Sequence, residues 1–366
     1  VKSLSKLSMS HPILKIFSNE GCQSYLIGCP ETRAAMIVDP KVGQESQYQA
    51  MLTRYGLELA AVLDTHTHAD HLSAATTFAG VPLLMSRATE VKRKMRSLEH
   101  GEHLSLGELT FEVLEVPGHT PDSIALFGHG LVITGDSLFV DGLARADFVG
   151  SDAAQLYESV QTRLMTLPGD TLVMPGHGYN DILFSTIDGE RRLNPSLTHE
   201  DGTAYARDLN CTAGAGNSPG VEANLLLNLQ EAPELPSSAG PAVACCASPT
   251  GGDASFDIQE IAARDAHEVH GAMSGPAQWI DVRDPFEYDA GRIPGTTPIP
   301  LSELGFHLDR LKGDEPLYIS CRSGVRSMTA AKTLQRLGVR TRPVNIGGGI
   351  LGWQAMGNPI EGAPAT

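Results

Sequence analysis

The chain of 366 residues carries a formal net charge of -16, with 41% hydrophobic and 19% charged residues. That length accommodates two or three domains at ~100–200 residues each, and the composition excludes wholesale disorder or a fibrous repeat. The acidic balance, with no local basic patch, excludes nucleic acid and anionic membrane surfaces as expected partners.

The opening VKSLSKLSMS lacks the apolar run of a signal peptide and reads as a flexible tail ahead of Met9. No stretch approaches the ~20 consecutive apolar residues of a membrane helix. The cysteines (Cys22, Cys29, Cys211, Cys245, Cys246, Cys321) are scattered without the spacing of a secreted disulfide framework. The expectation is a cytoplasmic protein in a reducing compartment.

From Ile13 to about Asn194 short β-rich runs alternate with amphipathic windows: SYLIG, AAMIVD, AAVLDTH, FEVLEV, SIALFG, LVITGD and TLVMPG are expected strands, and HLSAATTFAG an expected helix. Residues 211–252 are rich in Gly, Pro, Ser and Ala and read as a linker, with NLLLNLQ long enough for a turn or two of helix. From Asp257 the alternation restarts: helix DIQEIAARDAHEVHG, strands AQWIDVR and PLYISC, helix VRSMTAAKTLQRLG and strand RPVNI. The predicted organisation is an α/β domain over 11–210, a linker over 211–256 and a smaller α/β domain over 257–361.

Strand AAVLD runs into T-H-T-H-A-D-H, which puts His66, His68, Asp70 and His71 in one loop. His119 in EVPGHTPDS, Asp136 in LVITGDSLF and His177 in LVMPGHGYN each follow a predicted strand. Loops leaving one edge of packed sheets converge, so imidazoles and carboxylates far apart in sequence can surround one metal ion. Any one of these histidines alone is better explained as a satisfied core group; together they point to metal.

These residues resemble the metallo-β-lactamase superfamily over roughly 13–200. The resemblance implies an αββα sandwich in which His66, His68 and His119 face one metal, and Asp70, His71 and His177 a second, bridged by Asp136. Fold alone does not give the reaction. TGDSLFVDGLARADF, GHGYN and ERRLNPSL are similar to the persulfide dioxygenases of that superfamily. That similarity implies one Fe(II) per chain held by His66, His119 and Asp136, with His68, Asp70, His71 and His177 around it. It also implies that Arg145 and Tyr179 bind the glutathione part of the substrate; a plain ion pair of Arg145 with Asp147 is the simpler alternative. Where that family has glycine-cysteine-glycine before the arginine, this chain has Gly142, Leu143 and Ala144.

Strand PLYIS ends at Cys321, followed by Arg322, Ser323, Gly324, Val325, Arg326 and a helix-forming run. A tight loop opening a helix aims N–H groups inward and stabilises a thiolate or a bound anion. With IDVRDPFEYDAGRIPGTTPIP before it and NIGGGILGWQAMGNP after it, the C-R-S-G-V-R loop resembles the rhodanese family over 257–361. The resemblance implies a smaller α/β domain with a parallel sheet, a Cys321 persulfide that carries sulfane sulfur, Arg322 and Arg326 on the loop, and Asp281 and Arg283 bracing it. A phosphatase loop places its arginine six residues after the cysteine; here Arg326 stands at five.

Together the resemblances imply a sulfur-handling enzyme whose iron domain oxidises glutathione persulfide with O2 and water, and whose rhodanese domain moves sulfur between thiosulfate and glutathione. Small molecules, glutathione among them as co-substrate, are the expected partners, and the sequence leaves room for a homo-oligomer. Two alternatives stay open: a glyoxalase-II-like hydrolase of glutathione thioesters with both metal positions filled, and a non-catalytic sulfane-sulfur carrier or sensor.

Overall fold

The computed structural model describes residues 11–19, 21–147, 150–179, 181–212, 219–231, 256–272, 278–311 and 313–362. The opening tail, the Cys245–Cys246 pair and most of the expected linker lie outside the described residues. The chain divides into two compact units: Val1–Gly178 with Thr186–Gly251, and Tyr179–Ser185 with Gly252–Thr366.

The first unit is an αββα sandwich. Its first sheet contains β1 (Ile13–Asn19), β2 (Cys22–Gly28), β3 (Ala34–Val38), β4 (Glu58–Leu63), β5 (Leu83–Ser86) and β6 (Arg96–Leu98) in sequential order, antiparallel up to β3 and parallel from there. The second contains β7 (His103–Leu106), β8 (Leu109–Glu115), β9 (Ile124–Gly128) and β10 (Leu131–Gly135), a short hairpin of β11 (Leu138–Phe139) and β12 (Gly142–Leu143) stands apart, and β13 (Leu172–Pro175) and β14 (Ser185–Thr186) complete the order β14-β13-β10-β9-β8-β7. Burial follows sequence: CQSYLIG in β2 is buried at every position, as a strand covered on both faces must be, while HLSL in β7 alternates exposed and buried. Helix α1 (Glu45–Tyr55) ends at Gly56 in the left-handed region and packs Tyr48 and Leu52 against Leu26, Ala35 and Ile37. Each such buried leucine or isoleucine contributes about 1.5–3 kcal/mol.

Strand β4 enters the core as it proceeds, exposed at Glu58 and fully buried from Ala61 to Leu63, and so delivers residues 64–71 to the interior edge. The stretch HLSAATTFAG, predicted as a helix, forms only a turn of 3-10 helix over Ala75–Thr77. Its backbone is committed elsewhere: the Leu72 carbonyl accepts from Val42 N at 3.0 Å, and Ala74 N donates to the Pro40 carbonyl at 2.8 Å. Helices α2 (Ala153–Ser159), α3 (Ile187–Leu193), α4 (Gly202–Thr212) and α5 (Pro219–Asn228) complete the unit. α5 lies inside the stretch whose composition reads as linker.

The second unit is a parallel five-stranded sheet, order β15-β19-β18-β16-β17, of β15 (Gln259–Ala262), β16 (Gln278–Asp281), β17 (Thr297–Pro298), β18 (Pro316–Ser320) and β19 (Arg342–Gly347). Helices α6 (Ala263–Ala272), α7 (Pro285–Asp289), α8 (Val325–Arg336) and α9 (Gly349–Ala355) connect them. The helix expected from Asp257 starts only at Ala263, because residues 259–262 pair with Val344–Gly347 at the sheet edge. Trp279 and Trp353 meet edge to face, ring centroids 5.9 Å apart, in a core with Ala266, Ile293 and Ile346.

Gly118, ahead of His119, has φ +141°, and a Cβ there would meet the Leu156 backbone at 2.3 Å. Gly130 also has positive φ, +78°, but faces open space. We therefore expect Gly118→Ala to cost the first unit about 2–4 kcal/mol through backbone strain plus steric displacement, and Gly130→Ala about 1 kcal/mol from conformation alone, measured by denaturant unfolding. Equal costs would show that helix α2 yields.

Candidate active sites

Loop 64–71 supplies one of the three expected iron donors, His66, and the other two, His119 and Asp136, arrive from later strands. The Nε2 atoms of His66 and His119 lie 4.0 and 3.7 Å from Asp136 Oδ2, and all three residues are buried. These separations are too long for hydrogen bonds, yet donors each ~2.1 Å from one ion stand up to ~4 Å apart. His66 Nε2 has no hydrogen-bond partner among the described residues. An orphaned, buried imidazole nitrogen beside a second imidazole and a carboxylate is the donor chemistry of a transition-metal site.

The far nitrogens are fixed. His119 Nδ1 donates to the Arg145 carbonyl at 2.8 Å, so its Nε2 presents a lone pair. The Thr65 hydroxyl donates to Asp39 Oδ2 at 2.9 Å and accepts from His66 Nδ1 at 3.0 Å, which likewise leaves His66 Nε2 unprotonated. Burial, then the neighbouring His68, pushes His66 down to about 3, keeping it neutral. Against the upward push of burial, His177, by its charge and its hydrogen bond, holds Asp136 far below the usual carboxylate range.

His68 turns away from this trio. Its Nε2 meets Asp39 Oδ1 at 3.1 Å, and although burial pushes it down, Asp39, Asp64 and Asp70 together lift it to about 10, an imidazolium locked in a buried ion pair. A second set forms around Asp70: Oδ2 receives Cys22 Sγ at 3.3 Å, His71 Nδ1 at 3.0 Å and His177 Nε2 at 3.3 Å. His177 Nε2 also lies 3.2 Å from Asp136 Oδ2, bridging the two sets. Gly176 is required beside it, since a Cβ there would meet Asp136 Oδ1 at 2.2 Å.

Sequence reasoning missed Asn228. Its buried side-chain amide donates to the carbonyls of His68 at 2.9 Å and His71 at 2.8 Å, and its oxygen accepts from Ser73 N at 3.1 Å. It clamps the donor loop from 155 or more residues away in sequence; within a Gly/Pro/Ala-rich stretch it carries no local signal. Of the expected glutathione-binding residues, Arg145 Nε donates to Asp147 at 2.5 Å, while Arg145's carbonyl serves His119. Tyr179 directly follows the His177 loop.

In the second unit Cys321 is buried at the end of β18. Its Sγ accepts from Gly324 N at 3.1 Å and from the Ser327 hydroxyl at 3.4 Å as α8 begins. Arg283 pairs bidentately with fully buried Asp281, Nε and Nη2 at 2.9 and 2.7 Å, and its Nη2 holds the Gly291 carbonyl. Arg326 makes a fork onto Glu287, both contacts 2.7 Å. Despite the upward push of burial, Arg326 lowers the Glu287 carboxyl. Arg322 is exposed. Glu287, in the run DPFEY, is a partner that sequence alone did not single out.

The first unit is thus a metallo-β-lactamase-fold domain with a buried His/His/Asp centre, and the second a rhodanese-like domain. Signatures agree: the Metallo-beta-lactamase superfamily matches residues 87–177 and the Rhodanese-like domain residues 265–356. The chain is 34% identical over 196 residues to "Persulfide dioxygenase ETHE1, mitochondrial" of Homo sapiens, covering 51% of this chain and 77% of that one. The crystal structure of ETHE1 from Myxococcus xanthus is similar with a TM-score of 0.57 and 32% identity, over 59% of this chain and 97% of the other. A metallo-beta-lactamase from Staphylococcus aureus shares the fold over 92% of this chain and all of its own, TM-score 0.57, at 22% identity. The chain belongs to the persulfide dioxygenase family, and a metal is implied at the centre just described.

Because Asn228 sets the donor loop from behind, Asn228→Ala should weaken metal retention about 10–100-fold, the usual cost of losing an outer hydrogen bond to a ligand loop. Metal content after dialysis against graded chelator reads this directly. Unchanged retention in a folded variant would reduce Asn228 to a packing residue.

Proposed function

We propose that the chain is a bifunctional sulfur-metabolism enzyme: the first unit oxidises glutathione persulfide with O2 and water to sulfite and glutathione, and the second transfers sulfane sulfur between thiosulfate and glutathione. The observation that carries it is the buried His66–His119–Asp136 set on a persulfide dioxygenase relative, joined in one chain to a loop-borne cysteine with anion-stabilising donors.

Fe(II), one per chain, would be held by His66, His119 and Asp136 and supply the one-electron chemistry that dioxygen requires, three protein donors leaving positions open for substrate. The chain's own residues do the rest. The Arg145 carbonyl and the Thr65 hydroxyl keep both imidazoles in the donor tautomer. Burial of the set excludes bulk water from a reactive sulfur. Arg145 binds the glutathione moiety, offering a planar fork to a carboxylate.

In the second unit the Cys321 thiolate attacks the outer sulfur of thiosulfate; the S–S bond breaks, sulfite leaves with the electron pair, and a cysteine persulfide remains. A glutathione thiolate then attacks that outer sulfur, forming glutathione persulfide and returning the Cys321 thiolate. The Gly324 N–H and Ser327 hydroxyl stabilise the anion at each stage. Arg322 adds positive charge on the loop, Arg326 ties the loop to Glu287, and the Asp281–Arg283 pair anchors the chain as far as Gly291.

A second reading is favoured by one observation: the donor set around Asp70 is complete, and the chain is 38% identical over 148 residues to a hydroxyacylglutathione hydrolase of Hamiltonella defensa, covering 57% of it. Thioester hydrolysis with two metals is that reading's activity. The joined rhodanese-like domain supports the sulfur reading instead.

Two single substitutions separate the activities. Cys321→Ser should abolish sulfur transfer from thiosulfate and leave oxygen uptake with glutathione persulfide largely intact. His119→Ala should cut oxygen uptake by about 10²-fold or more and leave sulfur transfer intact. Loss of both activities in either variant would contradict two independent sites.

A further inference from the structure

Beside the second donor set lies a residue that neither reaction uses. Lys41, two residues after Asp39, is buried to 3% exposure. Its backbone is fixed by Lys41 N donating to Tyr48 Oη at 3.0 Å and by a bridge to Ser73 in the donor loop. Its ammonium Nζ approaches Cys22 Sγ at 3.9 Å, and Cys22 Sγ donates to Asp70 Oδ2 at 3.3 Å.

The set it faces is otherwise fit for a cation. Cys22, Asp70 and His177 bring their ligand atoms within 4.8 Å of one another, and the buried Asp70 Oδ1 and His71 Nε2 have no hydrogen-bond partner. Two opposing features therefore meet here: donors that invite a second divalent ion, and a fixed positive charge next to one of those donors. A like charge a few ångströms away, in a site that water does not screen, opposes a cation as it opposes any protonated group.

We propose that Lys41 decides how many metal ions the first unit holds: its ammonium opposes a divalent cation at the Cys22–Asp70–His177 set and restricts tight binding to the His66–His119–Asp136 set. This rests on the single-metal reading above. Lys41 is a specificity-determining residue in this account, separating one-metal oxidation from two-metal hydrolysis.

The test is a zinc titration of the metal-stripped full chain against a competing chelator, with bound metal counted per chain. Wild type should take up one ion tightly, and Lys41→Met, which keeps length and removes charge, should take up two, the second tightened about a hundredfold. Lys41→Gln serves as a second neutral variant should the first fail to fold. One tight ion in both wild type and neutral variants overturns the proposal, as does a wild type that binds two. Oxygen uptake by iron-loaded wild type is read on the same preparation. One tight ion with no uptake sinks the dioxygenase reading alone, whereas two tight ions with uptake sink only the role of Lys41.

Discussion

The first unit depends on the compensation of negative charge in a dry interior. Asp39, Asp64, Asp70, Asp122 and Asp136 are all buried beside the donor loop, and an uncompensated buried carboxylate is strongly destabilising. Each has identified partners: His68 for Asp39, Ser73 for Asp64, Thr67 for Asp122, and His71 and His177 for Asp70. Asp136 meets His177 at 3.2 Å, the contact that lowers its carboxyl. The loop is therefore held in place by its own charge-compensating contacts, and preorganisation of this kind is what makes a site select geometry. His68 shows the consequence: as an imidazolium tied to Asp39 it serves the charge balance and withdraws from the metal-facing trio.

Much of this was legible in the amino-acid order. His66, His119, Asp136 and His177 each stand within four residues of a strand's end, and strand ends are where a sandwich exposes a shared edge. Period-two and buried-run patterns identified β2, β3, β8, β9, β10 and β13. Cys321 was legible for the same reason, at the junction of β18 and α8. What stayed hidden was orientation and long-range partnership. Nothing in T-H-T-H-A-D-H says that His68 rotates toward Asp39, because that depends on a carboxylate 29 residues earlier. Asn228 was concealed by its low-complexity surroundings, and Glu287 by its role as a mere helix-opening acid until Arg326 closes on it. The expected helix after His71 failed because its carbonyls and amides pair with residues 40–42, a tertiary override of local propensity.

The two sites solve one chemical problem in different ways. On the reading proposed above, both sites would hold sulfane sulfur, a soft and easily lost group, in places sheltered from water: a buried two-imidazole, one-carboxylate set in one unit and a buried loop thiol in the other. The polar groups that support them are not the reacting ones. Thr65, the Arg145 carbonyl and Asn228 orient the first, and Gly324 and Ser327 hold the thiol of the second. Glutathione persulfide, the product proposed for the rhodanese-like domain, is the substrate that the dioxygenase reading assigns to the first unit, so the proposed pairing is chemically consecutive.

The measurement that bears most directly on this account is oxygen consumption by the iron-reconstituted protein given glutathione persulfide, with metal content determined on the same sample. The account predicts uptake proportional to iron, reaching its maximum at about one iron per chain, with sulfite formed. No uptake, together with two bound zinc ions and hydrolysis of a glutathione thioester, would contradict it.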